Sequence, residues 1–253
     1  MNVKYNLNTG KWIAGITLKD ETAYEQNNMA LHVCKKPNDI IKNRQRLADV
    51  LQVKLENFVC SNQTHSANFH KVTTVDKGRG AYDVDTAIPN VDAMYTYESN
   101  IVLCCFSADC VPVTFYNNRT GVVGVIHSGW QGSVKEITLK LFRHLIEKEN
   151  CNPQDFYVYL GSCLSQEKFE VDKDVKTQFA QLGYADEYIY FHSPTNKYHI
   201  DNQKVVKKQC EMIGIPESQI TLDSTCTFMH SEGFSYRQDK QAGRHLSFIV
   251  KKY

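Results

Sequence analysis

This 253-residue chain lacks several signals, and each absence removes a class of function. It has no G-x-G-x-x-G and no G-x-x-x-x-G-K-S/T, so neither dinucleotide nor P-loop phosphate binding has support. A G-x-S-x-G elbow and an H-E-x-x-H helix are also missing. No C-x-x-C pair organises the nine cysteines, which are odd in number and scattered, with Cys104 and Cys105 inside an apolar run. That usage reads as reduced thiols in a cytoplasmic protein rather than a disulfide framework. Long apolar runs are missing too. The longest uncharged stretch, Thr120 to Val134, has 15 residues and four glycines, short of the roughly 18 apolar residues that a membrane span needs. The N-terminal MNVKYNLNTGKW shows no apolar core of signal-peptide length. Charge of one sign is not in excess: 29 basic and 28 acidic residues leave a net charge of +1. Only Lys251-Lys252 stands out as basic, so neither nucleic acid nor a membrane surface is expected as a partner.

What is present is ordinary globular composition, 42% hydrophobic and 23% charged, with six prolines and no linker or repeat. One continuous domain over residues 1–253 is expected, as a monomer or homodimer. Lys4–Leu7 and Lys11–Thr17 flank Asn8-Thr9-Gly10, a hairpin signal. Pro37-Asn38 opens a helix to about Gln52, with Ile41, Leu47 and Leu51 on its apolar side. Strand-like runs follow at Phe58–Cys60, His70–Val75 and Asn100–Phe106. Ser133-x-x-Glu136 reads as a capping box ahead of the stripe Val134, Ile137, Leu141, Leu145. Phe156–Leu160 reads as a strand. Asp172–Leu182 and Asp201–Ile213 read as helices stopped by Gly183 and Gly214. Strands at Ile220–Leu222 and Leu246–Val250 complete a mixture that suits an α/β (α+β) layered sandwich, mixed β-sheets flanked by helices, not a regular βαβ series.

The chemistry concentrates between Ser107 and Trp130. Val111–Tyr116 and Gly121–Ile126 flank the polar connection Asn117-Asn118-Arg119-Thr120. A turn centred there makes residues facing each other sum to 237, which sets Cys110 opposite His127, with Cβ atoms about 4.5–5.5 Å apart. A thiolate and an imidazole at that distance can share a metal ion or act as nucleophile and base. His65, in a polar loop just after a strand-like run, is a third candidate. Two His and one Cys would leave a fourth position open, as in catalytic zinc sites. Asp109, beside Cys110 and on the opposite strand face, suits orienting the loop. The other histidines, among them His192 and His199, have no spacing that suggests a site and read as core or surface residues.

Several islands resemble the laccase-domain family, long labelled multicopper polyphenol oxidases and since reassigned as purine nucleoside phosphorylases. Gln63-Thr64-His65 resembles its Q-x-H, Ser107–Val113 its T-A-D-C-x-P-V, and His127–Gly132 its H-A-G-W-R-G. Gly161–Val175, Cys226-Thr227 and Phe234–Asp239 through Gly243-Arg244 are similar to its later signatures, and Asn28–Leu31 and Asn43-Arg44 to weaker early ones. The resemblance implies a layered α/β fold and a metal site of His65, Cys110 and His127, with zinc as the expected ion and copper the alternative. It further implies phosphorolysis of adenosine, inosine and methylthioadenosine, with adenosine deaminase activity beside it. Arg237, Gln63 and Asn28 are the expected substrate contacts. Gln131 and Gln238 stand where the family usually carries Arg, which leaves fewer cationic groups. A metal-free cysteine hydrolase or amidase, Cys110 with His127 as base, would use the same side chains. A non-catalytic binding protein that keeps the fold is a further alternative. A full multicopper oxidase is disfavoured, since nine histidines include no H-x-H pair.

Overall fold

The computed structural model describes the whole chain, Met1–Tyr253. Gly10, at φ 78°, reverses the chain so that β1 (Val3–Asn8) pairs antiparallel with β2 (Trp12–Thr17). Pro37 is the first residue of α1 (Pro37–Val50), a position where its missing N–H leaves no hydrogen bond unmade. Three short strands follow: β3 (Phe58–Val59), β4 (Phe69–Lys71) and β5 (Ala93–Thr96). The central stretch supplies β6 (Val102–Ser107), β7 (Val111–Asn117) and β8 (Val123–Ser128). Two helices come next, α2 (Trp130–Val134) and α3 (Ile137–Glu147), then β9 (Phe156–Leu160) and β10 (Glu170–Val171). Helix α4 (Lys173–Ala180) leads to the hairpin of β11 (Ile189–His192) and β12 (Lys197–Ile200). The Asp201 side chain caps α5 (Asn202–Met212), and β13 (Ile220–Leu222) and β14 (His245–Lys251) end the chain.

The strands form three sheets, in the orders β1-β2-β14-β6-β3, β13-β9-β7-β8-β5-β4 and β10-β12-β11. Both large sheets mix parallel and antiparallel pairs. Strict alternation along each strand explains how they stack. In β6, Val102, Cys104 and Phe106 pack with Leu47, Ala48 and Leu51 of α1. Leu103 and Cys105 point the other way, onto Val123, Val125 and Met94 of the second sheet. That sheet's outer residues, Val111, Val113, Phe115 and Ile126, meet Ile137, Leu141, Phe142 and Leu145 of α3 and Val206 and Cys210 of α5. The result is a helix–sheet–sheet–helix sandwich, the mixed α/β architecture the sequence pattern predicts. No helix is long and apolar enough to cross a membrane.

Three local expectations need correction. The strand expected over His70–Val75 stops at Lys71, and Thr74–Asp76 form a 3-10 turn in which Asp76 accepts from the Thr73 N–H. The β7–β8 register pairs Val111 with Ser128 and Pro112 with His127, so facing residues sum to 239, not 237. The cause is a longer connection: Asn117 Oδ1 accepts from the backbone of Arg119 and Thr120, and the Asn117 N–H closes on Val122. A shift of two residues preserves the face, and Cys110 therefore meets His127 diagonally, from just before β7. Ser133 is likewise no N-cap. It sits buried inside α2, its hydroxyl against those of Ser128 and the Gly129 carbonyl, and Glu136, at φ 61°, breaks the chain between α2 and α3. The stripe Ile137, Leu141, Leu145 is buried as expected, and Gly183 and Gly214 end their helices at positive φ.

Candidate metal centre

Asp92 organises the site. It precedes β5, which pairs with β8 so that Ala93 faces Ile126. The carboxylate of Asp92, wholly buried, accepts from the backbone N–H groups of Thr64, His65 and Ser66 and from the Ser66 hydroxyl. It also binds His127 Nδ1 at 2.9 Å. One acid thereby fixes both the loop that carries His65 and the ring on β8. Burial opposes ionisation of Asp92, yet the hydrogen bonds from His127 and Ser66 and the His127 charge hold its carboxyl down at about 2.

Two further residues adopt left-handed backbone here, His65 at φ 56° and Asp109 at φ 87°. Such a conformation costs an ordinary residue roughly 1–2 kcal/mol and persists only where the surroundings impose it. For Asp109 the compensation is visible: its carboxylate accepts from Thr227 Oγ1 and from the Arg237 N–H, both at 2.7 Å. Asp109 thus orients the loop, as its place beside Cys110 predicts. At His65, besides the Asp92 bond to its N–H, Lys135 Nζ donates to the carbonyl.

These constraints bring one donor atom each from His65, Cys110 and His127 to within 4.8 Å of one another. Cys110 Sγ lies 3.7 Å from His65 Nε2, and the two imidazoles meet edge-on with centroids 4.9 Å apart. Gly129 makes the approach possible, because a Cβ there would stand 2.5 Å from His65 Cδ2 and 2.9 Å from Cys110 Sγ. Burial opposes the Cys110 thiolate, but the charge and hydrogen bond of His127, with help from His65, pull the thiol down to about 6. Burial also opposes charge on His127, and the Cys110 and Asp92 charges outweigh it, raising the imidazole to about 9.

The donor set fits a first-row divalent ion. It offers a thiolate and two imidazoles, and the far nitrogen of His127 is held by a carboxylate, the outer-shell partner that orients metal-binding histidines. The trio opens into a cavity of about 370 Å³, within the range of small-molecule sites. Arg44, Arg244, His32, Phe106 and Tyr236 share its wall. Arg44 is fully buried with no acidic partner; it donates to the carbonyls of Met29, Gly80 and Ala81. Gln63 lines the cavity with both ends of its amide bound to the Phe106 backbone.

Asn28 and Arg237 are not part of this lining. Buried Asn28 accepts from the N–H groups of Ala30 and Arg244. Arg237 is exposed, donates to the Glu170 carbonyl and lies over the Phe169 ring. Asp92, Arg44, Arg244 and His32 are the residues that motif reading did not single out as site residues.

The sequence profile described as multi-copper polyphenol oxidoreductase laccase matches residues 16–252. The chain belongs to that family. It is 34% identical to purine nucleoside phosphorylase YlmD of Bacillus subtilis over 98% of this chain and 91% of that protein. The crystal structure of Bacillus licheniformis hypothetical protein YfiH superposes with a TM-score of 0.94 at 31% identity, covering 99% of this chain and 97% of that one. YlmD from Geobacillus stearothermophilus gives 0.90 at 33% identity over 96% and 93%. This laccase-domain chain therefore shares its fold with those relatives from end to end.

Proposed function

We propose that the protein is a purine nucleoside phosphorylase that cleaves adenosine, inosine and methylthioadenosine with phosphate to the free base and (methylthio)ribose 1-phosphate. Adenosine deaminase activity would share the site, and zinc would be held by His65, Cys110 and His127. One observation carries this reading: a metal-capable trio opens on a cavity with two guanidinium groups, in a chain matching a named purine nucleoside phosphorylase over nearly its whole length.

Phosphorolysis requires an anion held against C1′ of the ribose and stabilisation of the departing purine. Zinc held by His65, Cys110 and His127 would supply Lewis-acid chemistry to the site. The chain's own groups do the rest. Arg44 and Arg244 place positive charge in the wall and attract phosphate. Phe106 and Tyr236 offer aromatic faces to a purine. Asp92 holds His127 through Nδ1 and so leaves Nε2 for the cavity side. Asn28 acts through the Arg244 backbone and Arg237 through Asp109, while Gln63 holds the Phe106 strand end at the lining.

The test is phosphate-dependent release of hypoxanthine from inosine by wild type and Cys110→Ala, with zinc quantified on the same samples. Release that needs phosphate, and is lost with zinc in the variant, supports the reading. A zinc-loaded protein that releases no base from any of the three nucleosides overturns it. The chain Asp92–His127–Cys110 also has the order of orienting acid, base and nucleophile, which favours a cysteine hydrolase as second reading. Turnover that survives complete chelation would select it.

A further inference from the structure

A second group of donors lies on the three-stranded sheet. Glu170 of β10 faces His199 of β12, and His199 faces Tyr190 of β11, two residues before His192. Alternation sets all of these on one face. Glu170, His192 and His199 each bring one donor atom to within 4.8 Å of the others. We propose that these three side chains form a second metal site, distinct from the His65–Cys110–His127 centre, for a first-row divalent cation, with zinc the best match.

The central residue is His199, which is only 5% exposed. Its ring stacks on Tyr190 at 4.9 Å, and Nδ1 lies 3.0 Å from the Gln166 carbonyl. A carbonyl only accepts, so Nδ1 donates to it, and Nε2 is left to face Glu170. That nitrogen is buried and has no hydrogen-bond partner. The atom it faces, Glu170 Oε2 at 3.4 Å, is an acceptor. A ring nitrogen and a carboxylate oxygen aimed at each other are satisfied only when a proton or a metal ion lies between them. His192 Nδ1 stands 3.8 Å from the same oxygen. Donors bound about 2.0–2.2 Å from a tetrahedral zinc are about 3.4 Å apart, so the pocket has nearly the right size. Thr195 Oγ1 donates to Glu170 Oε2 and lies 2.9 Å from His192 Nδ1. An ion would take His192 from that hydroxyl while Thr195 continues to orient the carboxylate.

Two imidazoles with one carboxylate favour zinc and its neighbours over magnesium or calcium. The side chains of Glu170 and His192 remain 27% and 38% exposed, which gives the ion a path in and leaves room for a water ligand. The bound ion would tie β10, β11 and β12 together. It would also stiffen the Glu170 carbonyl, which holds Arg237, whose N–H is bound by Asp109 next to Cys110.

The experiment is equilibrium dialysis of the metal-stripped full chain against zinc, for wild type, His199→Gln and Glu170→Gln. Cobalt(II) substitution runs in parallel, because only the Cys110 centre gives a thiolate-to-cobalt charge-transfer band. The expected result is two zinc ions per wild-type chain. In both variants the second ion should bind at least tenfold more weakly, with the cobalt–thiolate band intact as a control for folding. Glu170 is partly exposed, so its variant keeps the test sound if buried His199→Gln misfolds. A wild-type chain that binds one ion overturns the proposal, since a proton then bridges Nε2 and Glu170. A second ion retained by both variants overturns it as well. Loss of the thiolate band alone would count against the first centre and leave this one standing.

Discussion

Replacing Asp92 by Asn tests whether one buried carboxylate assembles the metal centre. Its Oδ1 accepts from the His65 N–H and His127 Nδ1, and its Oδ2 from the Thr64 and Ser66 N–H groups and the Ser66 hydroxyl. Asn keeps the shape but turns one acceptor into an NH2 donor. Either orientation then sets that donor against at least one backbone N–H, and a backbone amide cannot reverse its role as a hydroxyl or a neutral imidazole can. Removing one partner of a buried charged pair costs about 3–5 kcal/mol. Loss of the outer-shell carboxylate behind a histidine ligand lowers metal affinity about 10- to 100-fold. The assays are urea denaturation of the metal-free protein at pH 7 and zinc competition with a chelator. A stability loss below about 1 kcal/mol, the scale of one ordinary hydrogen bond, together with a zinc affinity changed less than twofold, would refute the reasoning.

Gly129→Ala should fold, because its φ of −65° and ψ of 165° suit any residue. Its Cβ, however, would intrude on His65 and Cys110; zinc affinity should drop at least tenfold with the denaturation midpoint nearly unchanged, and unaltered binding would deny the glycine this role. Arg244→Gln removes a cavity guanidinium, and a charged hydrogen bond to an anion is worth about 1.5–3 kcal/mol. The KM for phosphate should rise tenfold or more while that for inosine changes little; equal effects on both would show that Arg244 does not hold the anion. His245 is buried, with Nδ1 on the Thr17 carbonyl and Nε2 accepting from the Phe234 N–H, so burial and the nearby Arg244 charge push it down to about 4. Its folded value lies below its unfolded one near 6.5. The unfolded chain therefore binds the proton first, and about 3 kcal/mol of stability is lost as pH falls from 6.5 to 4. A pH slope equally steep in His245→Gln would exclude His245 as the cause.

Legibility in the sequence follows the range of the interactions involved. The first hairpin, α1, the two glycine-stopped helices and the strand at Phe156–Leu160 depend on neighbours a few residues away, and their positions match the pattern closely. Cys110 and His127 sit on adjacent strands joined by one short connection. Even a register wrong by two residues left them on the same face, because side-chain direction repeats every two residues. Asp92 is different. It meets His127 because β5 lies beside β8, and it meets His65 because the loop after β3 folds over it. Neither contact leaves a periodic trace along the chain. A lone acid before an apolar run looks like a turn residue until the strand order is known.

The same limit hid the second donor set. His192 and His199 read as isolated histidines because the link between them is a cross-strand diagonal, and Glu170 comes from a strand of only two residues. What separates them from the other histidines is hydrogen-bond accounting. His245 is also buried, but a carbonyl and an N–H take up both its nitrogens, and so a neutral ring is complete there. His199 has the carbonyl without the N–H, and a carboxylate oxygen where the donor should be. A buried imidazole with one satisfied nitrogen and the other facing a carboxylate needs a proton or a metal ion on that second side. That asymmetry, and not the count of histidines, is what sets His199 apart from the core histidines as the proposed ligand.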